Sequence, residues 1–235
     1  MEFVNINENC LSIVFDERIN PEINAQVIQM KSTIQNSDIV GINELVISYN
    51  TLVIYFDDTK TNHTALTEAV QKLELISDDK YPATTYIIPV CYDAPFNLDL
   101  EEMATRHNKS TDEIIQIHTS KPYLIYMLGF MPGFPFLGGL DESIATPRKS
   151  SPRKEIPAGS VGIANAQTGI YPLASPGGWN IIGRTPLRLF DPNRNPEVYY
   201  EAGDYIKFKR ISKDEYDTIE QSVNNGTYVI ETEVH

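Results

Sequence analysis

Apolar positions along the first ninety residues change period several times. "CLSIVF" (10–15) is a β-rich run. In "PEINAQVIQMKSTIQN" (21–36), Pro opens a first helical turn, and Ile23, Val27, Met30 and Ile34 recur at helical spacing. "INELVISY" (42–49) and "TLVIYF" (51–56) read as strands joined tightly at Asn50. "HTALTEAVQKLELI" (63–76) sets Leu66, Val70 and Leu73 on one helical face, and "TTYIIPVCY" (84–92) is again a strand. The order β-α-β-β-α-β predicts a ferredoxin-like plait over residues 1–92, with helices on one face of an antiparallel sheet.

Two helices are expected next, at 98–108 and 110–120, as a connector spanning 93–121. Ser110 and Glu113 have capping-box spacing, and His118 falls near the second C-terminus, where a cation is welcome. From Pro122 to the end (122–235) the pattern is different. "PYLIYMLGF" is a strand, then Gly and Pro recur every few residues up to about Pro196. Short β-rich segments lie between them at 159–165, 169–175, 179–183, 186–191 and 204–211. Many short strands with regular turn signals predict a β-barrel or sandwich. Ser212 and Glu215 form a second capping box, for a helix over 212–225 that stops at Gly226, and "TYVIE" makes a last strand. The fold class is α+β.

Composition narrows the function. The chain has 235 residues and a net charge of −13, which disfavours a phosphate backbone as partner, so no nucleic acid is expected. No apolar run is long enough for a membrane span, and the N-terminus lacks a signal-peptide pattern, so the expected location is cytoplasmic. Cys10 and Cys91 belong to no metal-ligand spacing; buried reduced thiols and no metal site are expected. The basic residues cluster: Arg148, Lys149, Arg153 and Lys154 lie within seven positions. Such an island either recognises a small anion or is a solvated loop with counter-ions nearby.

Candidate chemistry sits in the Gly/Pro-rich half. "FMPGFPFLGG" (130–139) is an apolar loop built from chain breakers, with Pro132, Gly133 and Phe134 at its centre. "TPRKSSPRKEIPAG" (146–159) offers Arg148 and Arg153, whose planar forks suit carboxylate or phosphate. "NAQTGIYP" (165–172) presents Gln167 and Thr168, suited to an amide, a urea or a lactam, or to turn-making hydrogen bonds. "SPGGWNIIGRTP" (175–186) brings Ser175, Gly177, Gly178 and Trp179 together, with Arg184 five residues beyond the Trp. Paired Gly permits close backbone approach to a ligand, while the Trp ring either walls a pocket or fills the core. No P-loop, GxSxG elbow or HExxH motif is present.

"GFMPGFPFLGGLD", "TPRKSSPRKEIPAGSVGIANAQTGIYPLASPGGWNIIGRTP" and "LFDP…AGDYIKFKRI" resemble the 5-oxoprolinase B-subunit family, also called KipI-like or allophanate hydrolase subunit 1. The resemblance runs from about Phe3 to Ile211. It implies a C-terminal cyclophilin-like β-barrel after an N-terminal α/β domain. It also implies partners, a KipA-like protein of C type and a LamB/YcsF-like protein of A type. With them the chain would open 5-oxo-L-proline to L-glutamate, driven by ATP with magnesium. Under the resemblance His118, Arg148, Arg153, Gln167 and Arg184 are candidate catalytic residues. Pro132, Gly133, Phe134, Thr168, Ser175, Gly177, Gly178 and Trp179 are candidate contacts to an amide substrate. Inhibition of a sensor histidine kinase, or carboxyl transfer of the urea-carboxylase kind, are the other roles it implies. One departure is visible: where the family often has a Gly-Asp pair before its first strand, this chain reads "NENCLSIVF".

Overall fold

The computed structural model describes residues 1–16, 20–75 and 83–234. The chain divides into two compact units, Met1–Pro82 and Ala83–His235. No helix among the described residues is long and apolar enough to cross a membrane.

In the first unit, β1 (Glu2–Asn7) and β2 (Cys10–Val14) form a hairpin, followed by helix α1 (Pro21–Gln35). Strands β3 (Ile42–Ile47) and β4 (Thr51–Phe56) form a second hairpin, and helix α2 (His63–Gln71) follows. The sheet order is β1-β2-β4-β3, antiparallel throughout. Alternation along β4 buries Leu52, Ile54 and Phe56, as the two-residue period of a strand requires. The Asn20 side chain accepts from Ile23 N and starts α1. That helix buries Ile23, Val27, Met30 and Ile34 as its spacing predicts. Buried Asn24 donates to the carbonyls of Ser48 and Tyr49 at the β3–β4 turn, tying helix to hairpin.

This sheet corrects the expected plait in one strand. Strands β2, β4 and β3 have ferredoxin-like order, but β1 occupies the edge place expected for residues 84–92. Alternating polar residues in "EFVNIN" hid that strand; all but two of its positions are exposed. Helix α2 also stops at Gln71 instead of continuing to Ile76, which lies outside the described residues. Its burying face ends at Val70.

Residues 84–91 form β5 (Thr84–Cys91), the first strand of the second unit. Ile87, Ile88, Val90 and Cys91 are all buried, the near-continuous apolar run of a strand covered on both faces. Helices α3 (Leu100–His107) and α4 (Thr111–Thr119) follow, then β6 (Tyr123–Leu128) and β7 (Pro135–Leu137). Next come β8 (Arg153–Ile156), β9 (Ser160–Ala164), β10 (Gln167–Ile170), β11 (Ser175–Gly177) and β12 (Asn180–Arg184). Strand β13 (Tyr205–Ile211), helix α5 (Lys213–Asn224) and β14 (Glu231–Val234) complete the unit.

Seven strands close a barrel in the order β12-β9-β10-β7-β6-β13-β5, and Arg184 pairing with Cys91 returns β5 to β12. β13 and β5 run parallel, and β14 adds to the free part of β5. β8 and β11 make a separate two-stranded ribbon. Helices α3 and α4 are part of this unit, packing Leu100, Met103, Ile114 and Ile115 into the barrel core, so they are not a detached connector. Two expected strands shift: 186–191 contributes only a bridge from Phe190 to Val198, and the last strand begins at Glu231.

The barrel wall has an apolar layer on each side. Val161, Ile163, Ile170 and Ile182 join the main core. Their sequence neighbours Ala164, Tyr171 and Ile181 join Phe134, Ile156 and Trp179 in a second cluster. Adjacent residues on a strand face opposite sides, so one wall serves both layers.

Candidate functional site

The apolar loop is the tip of a hairpin. Leu128 pairs with Pro135, and Gly129 N donates to Phe134 O to close residues 129–134. Pro135 is tolerated as the first residue of β7. Phe134 turns inward and is buried, packing edge-on against Tyr171 and Trp179 at 5.3 and 5.5 Å between ring centroids. The aromatic layer lies over a strand position that has no side chain: a Cβ on Gly169 would stand 3.0 Å from Trp179 and 3.3 Å from Phe134. Tyr200 donates to Gly133 O and holds the turn from the other side.

The basic loop lies beside this layer. Lys149 N donates to Gly178 O (2.7 Å), which pins the loop to the paired glycines, and Arg153 pairs with Gly177 across the β8–β11 ribbon. A Cβ on Gly177 would be 2.5 Å from the Tyr171 hydroxyl, so glycine is what lets the phenol reach this edge. Burial raises the Tyr171 pKa to about 12, with Arg148 and Arg153 opposing the rise through their charge.

Two of the loop's cations are already engaged. Arg153 makes a two-pronged contact with Asp99, Nη1 to Oδ2 at 2.9 Å and Nη2 to Oδ1 at 2.7 Å. Lys149 Nζ reaches Asp99 Oδ1 at 2.7 Å and Glu102 Oε2 at 2.8 Å. Asp99 is 2% exposed and also accepts from Ile181 N. Burial by itself would raise its pKa, but Arg153, Lys149 and the Ile181 amide outweigh that and hold the carboxyl below its ordinary value. Asp99 is the N-cap of α3, yet its side chain makes no capping bond there, because its oxygens serve the loop. Arg148 and Lys154 remain: both are exposed, and neither forms an ion pair among the described residues; of the two, Arg148 carries the planar fork.

The structure therefore gathers Phe134, Arg148, Arg153, Gly177, Gly178 and Trp179 into one region, with Ser175 on the same ribbon. Pro132 lies at the hairpin tip beside buried Gly133. Three other candidates, His118, Thr168 and Arg184, are engaged elsewhere. His118 is 0% exposed, bonded at Nδ1 to the Tyr92 hydroxyl and at Nε2 to Thr168 Oγ1, each at 2.8 Å. Thr168 donates onward to Gly162 O, so it accepts from Nε2–H, and Nδ1 accepts from Tyr92. Burial pushes the His118 pKa down to about 3, and the ring stacks on Phe208 at 4.4 Å. His118 and Thr168 are thus a neutral bridge inside the core, without an open face for substrate. Arg184 donates to Ala158 O at 2.8 Å and lies over Phe96, taking no part in the Asp99 cluster. Gln167 is half-buried beside the two-residue β9–β10 turn, where Asn165 takes a positive φ of 52°.

Asp99, Glu102 and Tyr171 escaped the sequence reading. The only signal for Asp99 was the basic island itself, which needed counter-ions; the acid lies 50 and 54 residues from its partners. Among the described residues no three His, Cys, Asp or Glu side chains converge as metal ligands.

Comparison with known proteins identifies the family and the fold. The profile of the family described as "Carboxyltransferase domain, subdomain C and D" matches residues 1–200. The 5-oxoprolinase B subunit of Bacillus subtilis (strain 168) is 41% identical over 232 residues, covering 93% of this chain and 96% of that protein. A solved structure, TTHA0988, superposes with a TM-score of 0.79 at 30% identity over 88% of this chain. This chain spans 40% of that longer polypeptide. The Kluyveromyces lactis urea carboxylase superposes with a TM-score of 0.77 over 97% of this chain and 23% of that one; at 18% identity it attests the fold alone.

Proposed function

This chain belongs to the family of the carboxyltransferase domain, subdomains C and D, and from that footing we propose that it is the B-type subunit of an ATP-dependent 5-oxoprolinase. In this reading it works with a KipA-like C-type partner and a LamB/YcsF-like A-type partner to open 5-oxo-L-proline to L-glutamate. Water supplies the oxygen that adds to the lactam carbonyl carbon, the ring C–N bond breaks, and the nitrogen becomes the amine of glutamate. A lactam carbonyl is a poor electrophile because its nitrogen donates into it. ATP supplies the driving force, and both it and its magnesium are assigned to the complex.

The observation that carries the reading is the basic loop beside Gly177 and Gly178. Lys149 and Arg153 are held by a buried carboxylate, so the loop is rigid, and Arg148 is presented with its guanidinium uncommitted. A fixed cation needs no reorganisation when negative charge arrives on a carboxylate, a phosphate or a developing oxyanion. Arg148 is the anion contact on this account, and Arg153 is a positioning residue. Trp179 and Phe134 supply the apolar backing that fixes the glycine edge.

The test is reconstitution. The three purified subunits with ATP and 5-oxoproline are expected to release glutamate, and omission of this chain to abolish it. A complete mixture that releases none refutes the assignment.

A further inference from the structure

The outer wall of the barrel carries a cleft away from the basic loop. Strand alternation sends Ile88, Val90, Ile206 and Phe208 into the main core. Ile87, Pro89, Lys209 and Ile211 of the same two strands therefore face outward, under helix α5. At one end α5 sits directly on the wall, where Tyr216 packs against Cys91 and Ile211. Beyond that contact a cleft of about 400 Å³ remains between the strands, the helix and Tyr228. Two features of the chain keep it open. On this side of β5, β14 pairs only as far as Ile87 and β12 only at Cys91, so residues 88–90 have no strand beside them. Pro89 stands in that gap and has no N–H to leave unpaired. The helix supplies the second feature. A helix lying on a sheet ordinarily buries an apolar stripe, but α5 fully buries Tyr216 alone and turns Asp214 and Thr218 to the cleft beside Ile219.

We propose that this cleft binds a small organic cation, an ammonium group on an apolar body, with Asp214 as its counter-ion. A cavity of this size, with an apolar floor and a few polar groups at its rim, has the make-up of a small-molecule site. Charge selects the sign of the ligand. Asp214, Glu215 and Glu231 stand at the rim against Lys209, which leaves two negative charges there. Glu215 is committed to the Ser212 amide and hydroxyl, and Lys209 to Glu231 at 3.0 Å. The Asp214 carboxylate has neither an ion pair nor a side-chain hydrogen bond among the described residues. Tyr228 adds a half-buried ring, and burial, then the charge of Glu231, raises its pKa, so an aromatic face and a second carboxylate meet at the same opening. Carboxylates and an aromatic face are the groups that hold an ammonium ion. An anion finds no comparable place. The first turn of α5 is closed by Ser212, whose hydroxyl accepts from Glu215 N, and Glu231 neutralises Lys209. The cleft is separate from the glycine edge and does not depend on the 5-oxoprolinase reading.

The probe is phenethylammonium, titrated into the full chain and followed through the methyl NMR signals of isoleucine. Saturable shifts are expected at Ile87, Ile211 and Ile219, with a Kd of roughly 1 mM or tighter for so small a ligand. Phenethyl alcohol has the same shape without the charge, and its binding should be roughly ten-fold weaker, the loss of one charge-assisted contact. Asp214→Asn, on an exposed first turn, should weaken binding of the amine by a similar factor. Thr218→Phe puts a ring into the cleft from the helix side and should abolish the shifts, while the Ile163 and Ile181 methyls report an unchanged fold. Absence of saturable shifts at Ile87, Ile211 and Ile219 in the wild-type chain overturns the proposal. Equal binding of the alcohol, or undiminished binding by Asp214→Asn, overturns it as well. Tighter binding of hydrocinnamate, the matching carboxylate, makes the cleft an anion site and has the same consequence.

Discussion

Lowering the pH from 7 to 5 should remove about 2 kcal/mol of stability through His118 alone. In the folded chain the ring is buried between Tyr92 and Thr168, and its pKa is pushed down to about 3. In the unfolded chain it takes up a proton near pH ~6.5. A depressed folded-state pKa leaves stability intact above the unfolded value and erodes it as pH falls toward the folded one. Between those limits the folded chain holds one proton fewer, and the slope is about 1.36 kcal/mol per pH unit. The loss by pH 5 depends almost wholly on the unfolded pKa, since the folded group stays neutral there. Urea unfolding at pH 7, 6 and 5, followed by fluorescence of Trp179, reports on the unit that contains His118. His118→Gln removes the titration while keeping a nitrogen donor toward Thr168. It should be less stable at pH 7 by about 1–3 kcal/mol, for a disturbed buried hydrogen bond, and should then lose about 2 kcal/mol less than wild type on acidification. His107, whose pKa burial also lowers, titrates in both proteins and cancels in the difference. Parallel pH profiles for the two proteins would refute the neutral-bridge assignment.

Two further substitutions probe the site's frame. Asp99→Asn removes the charge between Lys149 and Arg153, whose side chains are 23% and 27% exposed. Because water partly compensates them, the expected cost is about 2 kcal/mol, below that of breaking a fully buried pair. Hydrogen exchange should quicken across residues 148–156, and unchanged exchange there would count against Asp99 as the anchor. Gly177→Ala places a methyl 2.5 Å from the Tyr171 hydroxyl and 2.7 Å from Ile156 Cδ1. Overpacking of that kind costs about 1–3 kcal/mol, and a melting temperature equal to wild type would show that the ribbon yields freely.

Local grammar was legible where local forces decide. The capping boxes at Ser110–Glu113 and Ser212–Glu215 start α4 and α5 as their spacing predicts, and the apolar face of α1 is the one its period indicates. The rhythm of Gly and Pro pointed to a barrel or a sandwich, and the family resemblance chose the barrel. What failed was assignment at a distance. Strand β5 has the composition of any buried strand, and nothing local says whether β2 or β13 will be its neighbour. β7 and β8 were masked by Pro135 and by the charged run Arg153-Lys154-Glu155. In the site, arginine chemistry was visible but its allocation was not. Arg153 and Arg184 looked as available as Arg148 until Asp99 and Ala158 O were found holding them. His118 was a plausible proton carrier by type, and only its burial makes it a structural bridge.

In the proposed function Arg148 is the anion contact on an edge that Asp99 holds in place. The most direct test of that role is glutamate release from 5-oxoproline by the reconstituted complex carrying Arg148→Ala. Loss of one charge-assisted contact predicts kcat/KM lower by roughly 10- to 100-fold, with Arg184→Ala within a few-fold of wild type. Full turnover by Arg148→Ala would contradict it.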